Sequence, residues 1–406
     1  MKSLALSVAF VLACAAGAAG QSSVTATVGG TVSSFRDSGA AVDRRQDVDG
    51  GAGFEHLFDR ERGRISYDFD GGTFASPGDW SYYLHTAGVR YRFGADDPAS
   101  RRIYLTASAA LRKNGDAWAA ADYSAFGGGV NAEFHPRKNV TLRTGYRADH
   151  RSFSDLSQLT QLEHRGFASL LTNFESRTTV IAEVQVGGKA YKGETRLDST
   201  VTTTTTTPTA PAGQYYGSGR GMGPALRGTT TVVQSQAQHR SGSAGLVSGM
   251  LRLAQSLSDR TGIHAQATMR TTFGAVPPAL ITTPAGFFDD GIYDDPFAFD
   301  TTSAQAGFTR AFQSGAELAG TVSWADRRYT STPAIDATGN ELAGSPLRRD
   351  RVWRGNAVWS LPLFARRTGG AELTLDVTYR FLRSRSNDAF YSYTSHGVGV
   401  GLSVGY

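Results

Sequence analysis

Apolar residues alternate with small or polar residues along much of the chain, and the last segment shows this pattern most clearly. Val398, Val400, Leu402, Val404 and Tyr406 are apolar, whereas the residues between them are glycine or serine. Side chains of a β-strand point alternately to its two faces, so this segment would form a strand with one apolar face and one face of small residues. A helix would instead repeat apolar residues every three or four positions.

The same period of two recurs in segments spread over the whole chain. Residues 373–381 alternate in this way, and further rows begin at Ile65 and Ile263. The pattern is weakest at Leu170 and Leu171, which are adjacent apolar residues. Counting the segments gives about sixteen strands, a number typical of the even-numbered barrels that span membranes.

The connections between these segments alternate between short and long. Short turns occur for example near residues 136–139 and 258–262, and residues 149–164 form one of the long connections. The longest connections are residues 188–240, 272–301 and 327–349. Transmembrane barrels have short turns on the periplasmic side and longer loops on the outer side. The rhythm therefore predicts that these three segments are outer loops and that both termini are periplasmic.

Aromatic residues recur near the two ends of predicted strands. Phe126 and Phe134 share one face of a segment, and Trp353 and Trp359 lie in another segment. For a tilted strand, the two phenylalanines would be separated by roughly 20 Å along the membrane normal, close to the height of the apolar band of a barrel. We expect such pairs to mark the membrane boundaries.

After residue 20, no segment is apolar for long enough to form a transmembrane helix, for which roughly 18 residues are needed. Glycine, tyrosine and phenylalanine are abundant, which suits strands and turns. Only helices and closed barrels can span a bilayer. The sequence therefore predicts an all-β protein, a transmembrane antiparallel up-and-down β-barrel of about sixteen strands, with residues 21–406 as a single domain.

Residues 1–20 have the pattern of a secretory signal peptide. Lys2 provides the positive start, an apolar stretch follows, and small residues precede a predicted cleavage site at Gln21. Lipid attachment at Cys14 is the alternative, because the residues before it loosely match a lipidation motif. Cys14 is the only cysteine, so cleavage at Gln21 would leave a mature chain without disulfides or cysteine-bound metals.

Many charged residues fall on the polar face of the predicted strands. The chain has 41 Lys and Arg against 36 Asp and Glu, which gives a formal net charge of +5. One interpretation is a charged, water-filled pore with a slight preference for anions, and the other is a ladder of paired charges in a wide lumen. The residues predicted to line the pore are Asp68, Asp70, Arg90, Arg92, Arg112, Glu133, Arg143, Arg147, Glu183, Arg270, Glu317, Arg354, Glu372, Asp376 and Arg380.

The sequence gives little support for calcium binding, catalysis or nucleic-acid binding. Carboxylates cluster in residues 287–300, but their spacing matches no calcium-binding loop, so a solvated outer loop is expected there. The histidines are scattered, and Asp149 with His150 is one acid–histidine pair that could activate water. We predict no enzyme activity, no metal and no cofactor. The basic residues form no cluster, and export argues against a nucleic-acid partner.

Over its predicted mature length, the chain resembles bacterial outer-membrane β-barrel proteins of the porin-like class. Its end is similar to the signal that the barrel-assembly machinery reads, through Gly401, Val404 and Tyr406. Gly399 departs from that signal, which usually has a polar residue at this position. The resemblance implies a location in the bacterial outer membrane, contact with its lipid and lipopolysaccharide, and delivery by periplasmic chaperones to the assembly machinery. It leaves open whether the protein is a homo-oligomer.

These features lead to one preferred functional hypothesis and two alternatives. The preferred hypothesis is a porin-like channel for passive diffusion of small polar solutes. The alternatives are a barrel component of a surface export or secretion system, and a plugged structural or adhesive barrel. Residues 24–32 already alternate, so we expect no plug domain before the first strand.

Overall fold

The computed structural model describes residues 21–37, 43–59, 61–74, 81–94, 101–204, 230–240, 242–274, 295–336, 340–365 and 372–405. The predicted signal peptide, residues 1–20, and the aromatic residue Tyr406 lie outside the described residues. Within these ranges, no helix has both the length and the apolar character needed to cross a membrane.

The described residues form eighteen strands, and all except β10 and β11 belong to one closed barrel. In chain order the strands are β1 (Gln21–Asp37), β2 (Asp43–Phe58), β3 (Gly63–Phe74), β4 (Tyr82–Phe93), β5 (Arg102–Asn114), β6 (Tyr123–Arg137), β7 (Val140–Phe153), β8 (Gln161–Asn173), β9 (Thr178–Tyr191), β10 (Glu194–Thr204), β11 (Thr230–Arg240), β12 (Ser243–Ser258), β13 (Thr261–Gly274), β14 (Phe299–Ala311), β15 (Glu317–Pro333), β16 (Leu347–Ala365), β17 (Glu372–Ser386) and β18 (Tyr393–Gly405).

The barrel closes through pairing between its first and last strands. β1 pairs with β18 from Thr25 opposite Gly405 to Asp37 opposite Tyr393, and β1 also pairs with β2. Each barrel strand therefore has a neighbour on both sides. Such closure satisfies backbone N–H and C=O groups without water, as a bilayer requires. The structure confirms the predicted antiparallel up-and-down barrel of sixteen strands.

β9 pairs directly with β12, so the barrel wall continues past the segment between them. The backbone N–H of Tyr191 donates to the carbonyl oxygen of Gly242 at 2.9 Å. Gly193–Ser241 forms a compact unit of its own, in which β10 and β11 pair as an antiparallel hairpin. The segment predicted as the longest loop, residues 188–240, thus includes the end of β9 and this hairpin. Residues 205–229 lie outside the described part of the chain.

We call the rim where β1 begins and β18 ends the near rim, and the opposite rim the far rim. The near-rim turns are short and lie where the sequence predicted them, for example at residues 138–139 and 259–260. Two far-rim connections, residues 275–298 and 334–346, are shorter than predicted because their flanking strands extend further. Backbone pairing does not require apolar side chains, so a hydrophobic pattern underestimates the polar ends of strands.

Large apolar side chains are exposed on one face of the barrel wall, which we call the outer face. Val184 and Val322 are 55% and 56% exposed, and their neighbours along the strand point to the other face. Trp324 lies opposite Trp353 toward the far rim, whereas Trp359 lies closer to the near rim on the same strand as Trp353. An apolar band with aromatic residues at its boundaries is typical of barrels that span a membrane.

Tyrosines bind three histidines on this outer face. In each pair, the tyrosine and the histidine lie on neighbouring strands. The histidine is not directly opposite the tyrosine but is displaced by two residues toward the far rim. The phenol oxygen and the ring Nδ1 are 2.6 Å apart in Tyr67–His85, 2.9 Å apart in Tyr379–His396, and hydrogen-bonded in Tyr146–His164. Such pairing reduces the cost of placing a polar ring on an apolar face.

Substitution by arginine tests the assignment of the two faces. Val322→Arg would place a guanidinium in the apolar band, and we expect it to lower the free energy of unfolding in lipid by about 2–4 kcal/mol. Thr321→Arg is the matched control, because Thr321 points to the inner face, and it should change that free energy by less than about 0.5 kcal/mol. Urea unfolding in phospholipid vesicles measures both values. Equal destabilisation by the two variants would contradict the assignment.

Candidate functional site

The inner face of the barrel consists of the residues that alternate with the exposed apolar side chains. The strand register places every charged residue predicted to line the pore at a position on this face. These positions are Asp68 and Asp70 on β3, Arg90 and Arg92 on β4, Arg112 on β5, Glu133 on β6, Arg143 and Arg147 on β7, Glu183 on β9, Arg270 on β13, Glu317 on β15, Arg354 on β16, and Glu372, Asp376 and Arg380 on β17. They are distributed around the circumference.

A near-rim cluster forms around Glu133, whose side chain is 10% exposed. Its carboxylate accepts a hydrogen bond from Nε of Arg143 at 2.9 Å. Arg102 Nη1 lies 3.6 Å from the same carboxylate, and His135 Nε2 lies 3.2 Å from it. One acid on β6 thus joins the neighbouring strands β5 and β7 through charge-assisted contacts. The structure brings together two of the predicted residues here, Glu133 and Arg143.

A charged belt crosses β7, β8 and β9 closer to the far rim. In the strand register, Arg147 lies opposite Arg165, and Asp149 lies opposite Glu163, which in turn lies opposite Lys189. Arg147 Nε donates to Asp149 Oδ2 at 2.7 Å, and Arg165 donates to Glu163. Lys189 Nζ is 3.8 Å from Glu163. Each acid in the belt therefore has a cation beside it on the inner face.

The connection that leads into β14 is attached to this belt. Asp295 accepts a hydrogen bond from Lys189 Nζ at 2.8 Å and another from the hydroxyl of Tyr191. Phe297 is 1% exposed and packs with Leu246 and Ala244. These three residues form a buried hydrophobic cluster on the inner side of the wall. This salt bridge and this apolar contact hold the end of the connection against the inner wall.

Gly187 makes the close approach of Phe297 possible. A Cβ atom at this position would lie 3.2 Å from Phe297 Cζ and 3.3 Å from Leu246 Cγ, which is tighter than an ordinary van der Waals contact. The guanidinium carbon of Arg165 lies 5.6 Å from the centre of the Phe297 ring, and Lys189 Nζ lies 5.4 Å from it. Both cations are within the range at which an aromatic face attracts positive charge.

A cavity of about 810 Å³ adjoins the belt. Arg147, Arg151, Arg165 and Lys189 line it, together with Asp149 and Glu163. Including Asp295, the cations outnumber the acids by one in this part of the wall. The belt therefore offers a polar surface with a small excess of positive charge to anything that enters the cavity.

Elsewhere on the inner face, several predicted residues bind aromatic rings or single polar groups. The guanidinium carbon of Arg112 lies 4.5 Å from the centre of the Tyr82 ring, and that of Arg270 lies 4.5 Å from the Phe299 ring. Asp376 accepts a hydrogen bond from Ser360 at 2.6 Å. Paired and exposed charges therefore coexist on this face.

A buried ion pair strengthens the far rim. Arg348 Nε donates to both carboxylate oxygens of Asp350 at 3.0 Å, and the guanidinium stacks on Tyr391 from the connection between β17 and β18. Burial raises the pKa of the Tyr391 phenol, while the nearby Arg348 opposes that rise. The connection before β18 is thereby attached to β16, which defines the shape of the rim there.

The structure does not assemble Asp149 and His150 into a catalytic pair. The two residues are consecutive on a strand, so their side chains point to opposite faces, and Asp149 binds Arg147. Within the described ranges, no group of three or more His, Cys, Asp or Glu side chains is placed to hold a metal ion.

Sequence reasoning missed five residues of the belt and its attachment, which are Glu163, Arg165, Lys189, Asp295 and Phe297. Glu163 fell within a segment interpreted as an outer connection, although β8 begins at Gln161. The alternation of Lys189 with the exposed Val184 and Val186 was an available signal for an inner-face cation. No local pattern indicates that Asp295 and Phe297 fold back onto the wall.

Removing the charge of Glu133 tests the near-rim cluster. Glu133→Gln leaves two guanidiniums without their shared carboxylate, and we expect it to lower the free energy of unfolding by about 1–3 kcal/mol. Glu317→Gln is the control, since Glu317 is an exposed acid on the same face near the same rim, and it should cost less than about 0.5 kcal/mol. Urea titration followed by tryptophan fluorescence gives both values. An unchanged stability of Glu133→Gln would show that the cluster contributes nothing.

No family model and no curated protein sequence matches this chain. Several solved structures match it over most of their length. OccK5 (OpdH) of Pseudomonas aeruginosa is 11% identical, with a TM-score of 0.43, over 95% of this chain and 98% of that one. OccAB1 of Acinetobacter baumannii is 10% identical, with a TM-score of 0.47, over 95% and 96%. A bacterial polysaccharide outer membrane secretin is 9% identical, with a TM-score of 0.46, over 94% and 97%.

Proposed function

We propose that this chain is a porin-like channel of the bacterial outer membrane for passive diffusion of small polar solutes, with a preference for anions. The observation that carries the proposal is a closed barrel of sixteen strands whose inner wall bears a charged belt beside a cavity of about 810 Å³. Barrels of 16 to 18 strands are wide enough to leave an aqueous channel.

The outer face supports the membrane location. Within the described residues, no layer of protein covers its apolar side chains, and lipid is the environment in which such a surface is stable. In this proposal the near rim is periplasmic and the far rim is external. The longer connections at the far rim agree with this orientation.

The belt suits the brief binding of small anions. Guanidinium groups bind carboxylate and phosphate oxygens with good geometry. The neighbouring acids Asp149, Glu163 and Asp295 neutralise most of this attraction, so an anion would be attracted without being retained. We propose that the inner-face charges predicted from sequence line this pore, with the belt and Phe297 at its narrow part.

Assembly into the membrane forms part of the same proposal. Residues 1–20 would direct export, and periplasmic chaperones would deliver the barrel domain to the assembly machinery. β18 is suited to a signal role because it pairs with both β1 and β17 and so closes the barrel. Gly401 lies opposite Gly29 on β1, and Val404 is 43% exposed on the outer face. Together with Tyr406 they would form the signal that the machinery reads.

Conductance of the purified full chain in planar bilayers tests the channel. We expect discrete open-channel steps and a reversal potential in a KCl gradient that favours chloride. Arg380→Gln removes an exposed inner-face cation and should lower the ratio of anion to cation permeability by roughly twofold. Arg383→Gln is the matched control, because it removes the same charge from the outer face of the same strand, and it should leave the ratio unchanged.

A silent bilayer would overturn the proposal and favour a plugged barrel. An equal effect of Arg380→Gln and Arg383→Gln on the permeability ratio would show that ions do not pass along the inner face.

The double substitution Val404→Ser and Tyr406→Ser tests the assembly signal. In the sequence, both residues belong to the apolar row of the last predicted strand, so we expect less folded protein in the outer membrane and more in the periplasm. The measure is the amount of heat-modifiable, folded protein in each cell fraction. Val398→Ser, which lies on the same row farther from the near rim, is the control. Normal assembly of the double variant would contradict this role.

A further inference from the structure

A cluster of arginines occupies the outer face of β15, β16 and β17, beside the tryptophans and in the next two rows toward the far rim. Trp324, Trp353 and Arg383 lie side by side in the strand register. The next outward row consists of Asp326, Arg351 and Arg385, and the row after it contains Arg328 and Arg349. Five arginines therefore surround one carboxylate on a face whose other residues are largely apolar. We call this surface the basic groove.

Asp326 binds neighbouring arginine side chains but cancels only part of the positive charge of the basic groove. Its carboxylate accepts hydrogen bonds from Arg349 Nε and Nη2, both at 2.9 Å, and from Arg328 Nε at 3.2 Å. Arg351 Nε lies 3.8 Å away. Arg383 and Arg385 are exposed and make no ion pair with any described residue. The groove therefore keeps a strong positive excess, with two guanidiniums available to an added anion.

The groove is an actual depression in the outer wall. It has a volume of about 430 Å³ and is lined by the arginines of β16 and β17, by Asp326 and by the two tryptophans. Planar guanidiniums arranged on neighbouring strands suit a phosphate, whose oxygens accept several charge-assisted hydrogen bonds at once.

An apolar groove adjoins the basic groove on the side of the near rim. It has a volume of about 690 Å³, and its floor is made by small residues, including Gly320, Gly355 and Ala357. Val322 and Tyr379 form part of its walls. Val322 lies opposite Gly355, only two residues from the pair Trp324 and Trp353, or roughly 7 Å along the strand. Cationic and apolar surfaces thus follow each other along the barrel wall.

We propose that the two grooves together bind a phosphorylated glycolipid of the outer leaflet, with its phosphate against the arginines and its acyl chains along the apolar groove. The order of the surfaces matches such a lipid in the proposed orientation, because the far rim would be external and the apolar band would lie below it. The inference rests on the proposed outer-membrane location. It adds a defined lipid site to the general contact with lipid that any such barrel makes.

Lipid binding to the purified full chain in detergent tests the site. The probe is bisphosphorylated lipid A, and its binding is measured by native mass spectrometry. Arg383→Gln with Arg385→Gln should weaken binding about tenfold or more, because it removes the two groove cations that make no ion pair with a described residue. These residues are exposed, so the variant should fold, which its heat-modifiable migration checks. Arg380→Gln, on the inner face of the same strand, is the matched control and should bind as the wild type does.

Two further measurements distinguish a lipid from a free anion. The same lipid after removal of its phosphates should bind at least about tenfold more weakly to the wild type. Ala357→Phe fills the apolar groove without changing charge, and it should weaken binding of lipid A while leaving binding of inorganic phosphate unchanged. Equal binding with and without phosphates, or displacement of lipid A by equimolar inorganic phosphate, would overturn the proposal.

The result of the lipid-binding test can be distinguished from the result of the conductance test. Loss of lipid binding in the double variant with normal single-channel conductance would support both proposals. Unchanged lipid binding in the double variant would overturn the lipid site alone, whereas a silent bilayer with intact lipid binding would overturn the channel alone.

Discussion

Pairing of backbone groups around a closed ring is the constraint on which the rest of this structure depends. A strand in lipid has no water to satisfy its N–H and C=O groups, so a free edge would cost several kcal/mol for each unpaired group. The contact of β1 with β18 removes that edge. Once the ring is closed, the pleat divides every strand into an outer and an inner row. The outer row can then place apolar side chains against lipid while the inner row carries charged side chains.

The inner face combines stability with function through the way its charges are paired. Glu133 joins three strands, and the belt on β7 to β9 places acids and cations next to each other. Pairing spares the protein the cost of isolated charges on a partly dry wall. In the proposed channel, this pairing would also limit how tightly an anion binds. The attachment of Phe297 beside Gly187 brings a connection into the lumen, where a bare wall of sixteen strands would leave a wider passage.

The hydrophobic pattern was sufficient for the architecture because a period of two is a local property. It predicted the strand number, the short near-rim turns, and the inner-face positions of residues such as Arg143 and Arg147. It failed where neighbours in space decide the outcome. Leu170 and Leu171 break the alternation within β8, so Arg165 was not recognised as an inner-face residue, and Glu163 was assigned to the connection before that strand. Asp295 was expected in a solvated loop, yet it binds Lys189, which is distant in sequence. The register that brings Arg383 and Arg385 beside Asp326 also depends on three strands at once.

The seam between β9 and β12 shows how such a barrel can acquire new parts. These strands pair along their length although Gly193–Ser241 intervenes, and the bond from Tyr191 to Gly242 completes the wall before that segment begins. The entropic free-energy cost of closing a flexible loop rises by only about 0.6 kcal/mol for each doubling of its length. Selection can therefore lengthen, shorten or rewrite this segment at little cost to the ring. The seam is therefore a position at which the chain can gain, lose or change an inserted segment while the paired wall and its inner row of side chains stay the same.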